Sequence, residues 1–208
     1  MNMPLYLSGK ALPINISSYV MQMQSISGQT PSVNITRALS RLKSVFCTFD
    51  HANVFAKEDT LKDRHIQLWK KNWNDFHHPM SYSAGHYDSE FEMEIQLSIG
   101  SKLYPEYPVR SVAEAFYQLR KCMGTETSNF HSLDIKPFDY RTHKFIVAFD
   151  TEKNLGSAFT GINIKQGSLM TLKMRSSATS AQMPDTVCIV LHFDSIISIK
   201  DSGIEVSE

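Results

Sequence analysis

The chain has 208 residues, 42% of them hydrophobic, a length that suits one large all-β domain whose core needs no covalent staples. Lysine plus arginine and aspartate plus glutamate each number 21, so the formal net charge is zero. That balance argues against strong nucleic-acid binding through a broad basic face, because phosphate neutralisation supplies most of such affinity.

Residues 14–24 read as a first strand, with Tyr19, Met21 and Met23 on one face and Val20, Gln22 and Gln24 on the other. A loop carrying Gly28 and Pro31 leads to Leu42-Lys-Ser-Val-Phe-Cys-Thr-Phe49, a second strand rich in aromatic and β-branched residues and preceded by Arg37 and Arg41. Asn15-Ile-Ser17 and Asn34-Ile-Thr36 match the glycosylation acceptor. The N-terminus, Met1 to Lys10, lacks the basic-then-apolar order of a signal peptide, so both are read as unmodified. No apolar run approaches the roughly 18 residues that a membrane span needs.

Over residues 56–86 the composition turns polar and aromatic, and the stretch is read as a long loop insertion from the sheet scaffold. Leu61, His65, Leu68, Trp69, Trp73 and Phe76 approximate a helical stripe, which predicts a short helix over 60–72, followed by an irregular segment from His77 to His86. Phe91-Glu-Met-Glu-Ile-Gln-Leu-Ser-Ile99 alternates apolar and polar at every position and predicts a strand with one wet face. Pro105 and Pro108 hold the next stretch extended. Ser111-Val-Ala-Glu114 is a capping box, opening a helix over 111–123 with Val112, Phe116, Leu119 and Met123 as its apolar stripe and Gly124 as its stop. Residues 125–141 are turn-rich, with Pro137 as a breaker.

The rest of the chain is organised as strands. Lys144-Phe-Ile-Val-Ala-Phe-Asp150 is almost wholly apolar, and Leu169-Met-Thr-Leu-Lys-Met-Arg175 alternates. Thr186-Val-Cys-Ile-Val-Leu-His-Phe-Asp194 is apolar on both faces and is therefore expected to be central. Ser195 to Lys200 continues the pattern, and Asp201-Ser-Gly203 turns into a last short strand at 204–206. Strands punctuated by Gly, Pro, Asp and Ser, with few helical patterns, predict an all-β fold with one or two helices, an antiparallel sandwich or barrel.

Reactive constellations are sparse. Cys47, Cys122 and Cys188 lie far apart and are read as buried thiols of a reducing compartment. His77, His78 and His86, with His65 or Asp75 near them, are the sole cluster of metal-ligand type, but nothing in their spacing fixes a tetrahedral site, so stacking on Trp69, Trp73 or Tyr82 is the preferred reading. A cupin-type metal site would draw on His192 with Glu92 and Glu94, of which the glutamates sit on a face expected to be solvated. No Gly-x-Ser-x-Gly marks a nucleophile. Arg110 is a candidate contact to a carboxylate or a neighbouring subunit. No catalytic residue, metal ligand or cofactor is assigned, and the protein is not expected to be an enzyme.

Phe149-Asp-Thr151, Gly167-Ser-Leu-Met-Thr-Leu-Lys-Met-Arg175 and Pro184-Asp-Thr-Val-Cys-Ile-Val-Leu-His-Phe-Asp-Ser-Ile-Ile-Ser-Ile199 occur in an order that resembles the C-terminal jelly roll of double-jelly-roll major capsid proteins, as in Polinton and adintovirus-like DNA viruses and virus-like elements. Tyr104-Pro-Glu-Tyr-Pro108 and the helix after it are compatible with the same barrel, whereas Lys200 stands where that pattern suggests a carboxylate. The resemblance implies a single jelly-roll domain over 1–208, either a one-barrel relative or the C-terminal half of a two-barrel protein. It also implies a structural capsid protein of the virion, made in the host cytoplasm or nucleus. Such a protein self-associates laterally into homotrimers and a higher lattice, alongside penton or minor capsid proteins. Trp69, Trp73, Phe76 and Tyr82 are the candidate anchors of its lateral contacts. The alternative reading is a jelly-roll module that binds a carbohydrate or small ligand, and a cupin-type metalloenzyme comes third.

Overall fold

The computed structural model describes residues 12–50, 76, 93–124, 133–152, 161–165, 168–176, 184–200 and 203–207. Apart from Phe76, the insertion over 56–86 lies outside them, and with it the expected helix, Trp69, Trp73, Tyr82 and the histidine cluster; Glu92 lies outside them too.

Two antiparallel sheets enclose one apolar core. Numbered in chain order, the first holds β1 (Leu12–Ser25), β3 (Leu42–Asp50), β6 (Val147–Asp150), β8 (Thr186–Lys200) and β9 (Gly203–Ser207). Its order is β1-β8-β3-β6, with β9 paired to the C-terminal part of β8. The second holds β2 (Ser32–Ile35), β4 (Met93–Ile99), β5 (Lys102–Val109) and β7 (Met170–Ser176), in the order β2-β7-β4-β5. Two helices, α1 (Val112–Cys122) and α2 (Pro137–His143), fill the crossover from β5 to β6. The chain passes between the sheets at almost every connection, which winds it into a jelly roll and leaves sequence-distant strands side by side.

Alternation explains the core. Val187, Ile189, Leu191 and Phe193 of β8 point inward with Val45, Cys47 and Phe49 of β3, against Ile95, Leu97, Leu172 and Met174 of the other sheet. Each such side chain withdrawn from water contributes about 1.5–3 kcal/mol. As expected, β8 is central, with β1 on one side and β3 on the other.

Residues 195–200 do continue the strand of 186–194, as the pattern suggested, and β1 pairs with this strand from Leu12 opposite Ile199 to Ser25 opposite Thr186. Several boundaries differ from the sequence expectation, each for a local reason. The strand expected over 144–150 begins at Val147, since the Phe145 amide is turned aside to donate to the Phe76 carbonyl at 2.7 Å. Pro137 is not a breaker: it occupies the first turn of α2, where its missing N–H has no partner to lose. The prolines after Gly100 lie in a true strand, β5, at a sheet edge, where the ladder register shifts between Ile95 and Leu97 and the Gln96 Nε2 donates to the Pro105 and Glu106 carbonyls at 3.1 and 3.0 Å. The expected wet face of β4 is only half-wet, since Ser98 is buried and donates to the Thr171 carbonyl at 3.2 Å.

The helix over 111–123 is confirmed together with its cap: Ser111 Oγ accepts from the Glu114 amide at 3.1 Å, and Glu114 Oε2 accepts from the Ser111 amide at 3.2 Å. Its buried residues, Ala115 and Leu119, belong to the core cluster, and the helix lies against β6, where Ala148 is fully buried. α2 is pinned by Tyr140, buried between Phe116 and Phe145, whose hydroxyl donates to the Ile146 carbonyl at 2.8 Å.

Candidate assembly surface

The outer side of the first sheet is one place where apolar side chains are left exposed. Register places Tyr19 beside His192, Met21 beside Val190 and Met23 beside Cys188, so these three side chains are turned away from the core, while Val20 and Gln22 lie on the inner face, Val20 packed against the core. Tyr19, Met21 and Met23 are 64%, 57% and 53% exposed. Cys188, Val190 and His192 behind them, and Phe46 of β3 beyond, are half-buried.

His192 orders this surface rather than reacting on it. Its ring stacks on Tyr19 with centroids 4.7 Å apart and planes 11° apart, and its Nδ1 lies 3.1 Å from Ser44 Oγ. Burial and then the Lys43 ammonium hold its pKa below the ordinary histidine value, against the opposing pull of Asp194 and Glu152. Among the described residues no three His, Cys, Asp or Glu side chains are grouped as metal ligands. Glu94 does not turn toward His192; it pairs with Arg110, Nε to Oε1 at 3.0 Å, while the Arg110 amide donates to Glu114 at 2.7 Å. Arg110 therefore has an internal carboxylate partner.

One end of the surface is closed by a polar clasp. Lys43 is the extra residue of a bulge in β3, between Leu42 opposite Phe193 and Ser44 opposite His192. Its ammonium sits 3.3 Å from Glu152 and 3.6 Å from the buried Asp194, the latter an ion pair longer than a hydrogen bond. Asp194 also accepts from Ser17 Oγ at 3.0 Å, and its amide donates to the Arg41 carbonyl. Thr151, buried, clamps the bulge with two bonds, its amide to the Lys43 carbonyl and its hydroxyl to the Leu42 carbonyl. Gly161 passes so close behind that a Cβ there would lie 2.8 Å from the backbone of Arg41 and Leu42. The Phe149-Asp-Thr151 turn noted in the sequence thus fixes where the bulge forms.

Burial raises the pKa of all three cysteine thiols, with Cys47 fully inside the core and Cys122 and Cys188 half-buried. Lys200 pairs with Glu205 across the β8–β9 hairpin. A groove of about 460 Å³ separates α1 from α2. Its walls include Val112, Phe116, Ile135 and Phe138, with Arg141 as its one charged lining residue, a lining unlike the converging polar groups that a sugar requires. Sequence reasoning missed this groove because it missed α2. It also left the orientation of β1 open, since alternation alone does not say which face is inside. Of the four aromatic anchors proposed from the sequence, Phe76 is the described one; it is 46% exposed and its carbonyl is tied to Phe145.

No family model matches the sequence, and neither does any curated protein. Solved structures do match in fold. PBCV-1 VP54, whose crystal structure was fitted into a cryo-EM reconstruction of the virophage Sputnik, superposes with a TM-score of 0.52 at 8% identity over 95% of this chain and 52% of that one. A quasi-atomic model of the PBCV-1 virus capsid gives a TM-score of 0.49 at 7% identity over 100% of this chain and 55% of that one. The chain spans about half the length of the solved chains it matches.

Proposed function

We propose that this protein is a structural shell subunit of a DNA virus or an integrated virus-like element, one jelly roll carrying the insertion over 56–86, which associates laterally with its own copies into trimers and a capsid lattice. The observation that carries this reading is the strand order, β1-β8-β3-β6 over β2-β7-β4-β5, in a fold similar to that of PBCV-1 VP54. Two features support it. The space between the sheets is filled by apolar side chains, and the exposed apolar residues lie on the outside, where they favour contact with protein rather than turnover of a substrate. Zero formal charge removes the general repulsion that would oppose close packing of like subunits. Penton or minor capsid proteins are the further partners in this reading, the virion is its location, and it needs no cofactor.

Size-exclusion chromatography with light scattering, followed by electron microscopy of concentrated protein, tests it. Trimers that grow into sheets or closed particles are expected. A protein that stays monomeric at every concentration, and whose melting temperature rises with a sugar or other small ligand, would overturn the proposal in favour of a binding module.

A further inference from the structure

Among the described residues four strand edges and the β8–β9 hairpin border the two sheets, and all but one are blunted. β2 and β6 have four residues each, and β6 also lies against α1. β5 carries Pro105 and Pro108 and a break in register. β9 has five residues and presents Glu205, paired with Lys200. Short length, proline, bulges, charge and a covering helix are the devices by which proteins keep sheet edges from pairing with other chains. β1 uses almost none of them. It runs for 14 residues, contains no Asp, Glu, Lys or Arg, and has its lone proline, Pro13, at one end. β8 pairs with one side of it, and among the described residues no strand pairs with the other.

We propose that β1 is the seam of a two-fold contact between two copies of this chain, in which the β1 strands pair antiparallel, edge to edge, and their Tyr19, Met21 and Met23 side chains form one apolar ladder. This rests on the self-assembly reading above and names one two-fold contact of the lattice, separate from the contacts within a trimer. A second copy is the occupant that the chemistry selects. A two-fold axis sets each strand against itself, so a charged residue near the axis would meet its own sign. An edge without charge meets no such penalty, and it offers a basic or acidic partner nothing to recognise. With the axis at Met21, Met21 faces Met21 of the second copy and Tyr19 faces its Met23, all on the outer face. Tyr19 is already held by its stack on His192, so little rotamer freedom remains to be lost when the seam forms.

Two variants test the seam. Met21→Lys sets two ammonium groups against each other and should weaken association at least about tenfold, while its unchanged melting temperature as a dilute monomer reports that the fold survives. Met21→Cys, in a Cys122→Ser, Cys188→Ser background that leaves Cys47 buried, should give a disulfide-linked dimer under mild oxidation, because facing residues near a two-fold in an antiparallel pair bring their Cβ atoms within bridging distance. Wild-type protein that assembles, with Met21→Lys assembling equally well and Met21→Cys left uncrosslinked, overturns the seam and leaves self-assembly standing. Wild-type protein that never associates overturns both.

Discussion

His192 illustrates how one side chain couples the outer face to stability. It is stacked on Tyr19, bonded to Ser44, and lies within the influence of Lys43 and of the two carboxylates paired with it, Asp194 and Glu152. Its folded pKa lies below the unfolded value, so the unfolded chain binds the proton more readily. The sign follows: above about pH 6.5 both states are neutral and the full stability is present, and as the pH falls through that value toward the folded pKa the stability contribution is lost. The melting temperature should therefore drop between about pH 7.5 and about pH 5.5, and the drop should be smaller in His192→Gln. Identical profiles for the two proteins would assign the acid sensitivity to other groups. The sequence displayed this histidine in a strand, but not that its neighbours would be an aromatic ring from residue 19 and an ammonium from a bulge, since both arrive from more than a hundred positions away.

At the level of elements, legibility tracked how local the cause was. α1 was readable because its signals, Ser111, Glu114, Arg120, Lys121 and Gly124, lie within or beside the helix itself. Replacing Ser111 by Ala removes the acceptor for the Glu114 amide and should cost about 1 kcal/mol. For a domain of this size that is a melting-point decrease of about 2–4 °C. Ser111→Asp, which keeps an acceptor in place, should restore most of it, and an Ala variant that melts with the wild type would mean the cap is dispensable. β4 and β7 were readable by alternation, and β8 by a run apolar on both faces. β2 was not set apart from the loop before it, because four residues hold too few alternations to register, and its Val33 and Ile35 are buried by pairing with β7. α2 escaped for the opposite reason: proline at a first turn and proline as a breaker are the same letter until the chain around it is placed.

For the whole molecule, the sandwich followed from the sequence as a class, while the wiring did not. Nothing local states that β1 belongs beside β8, yet their pairing is the longest among the described residues and Ser17 reaches Asp194 across 177 positions. Removal of residues 186–208 takes away β8 and β9, and β8 is the shared neighbour of β1 and β3. Such a truncation should lose cooperative melting altogether rather than a fraction of it, as measured by calorimetry; a sharp residual transition would mean that the β2-β7-β4-β5 sheet folds on its own.

That pairing of first strand with eighth also sets a clock on biosynthesis. A ribosome adding roughly 5–20 residues per second needs on the order of ten seconds or more after β1 emerges before β8 is available to it. Throughout that interval the nascent chain displays a long uncharged ribbon with both hydrogen-bonding rims open, one of which β8 later occupies. Neighbouring polysome chains would present the same ribbon to each other, so the protein's yield in a cell should depend on chaperone capacity and on how closely its ribosomes are spaced.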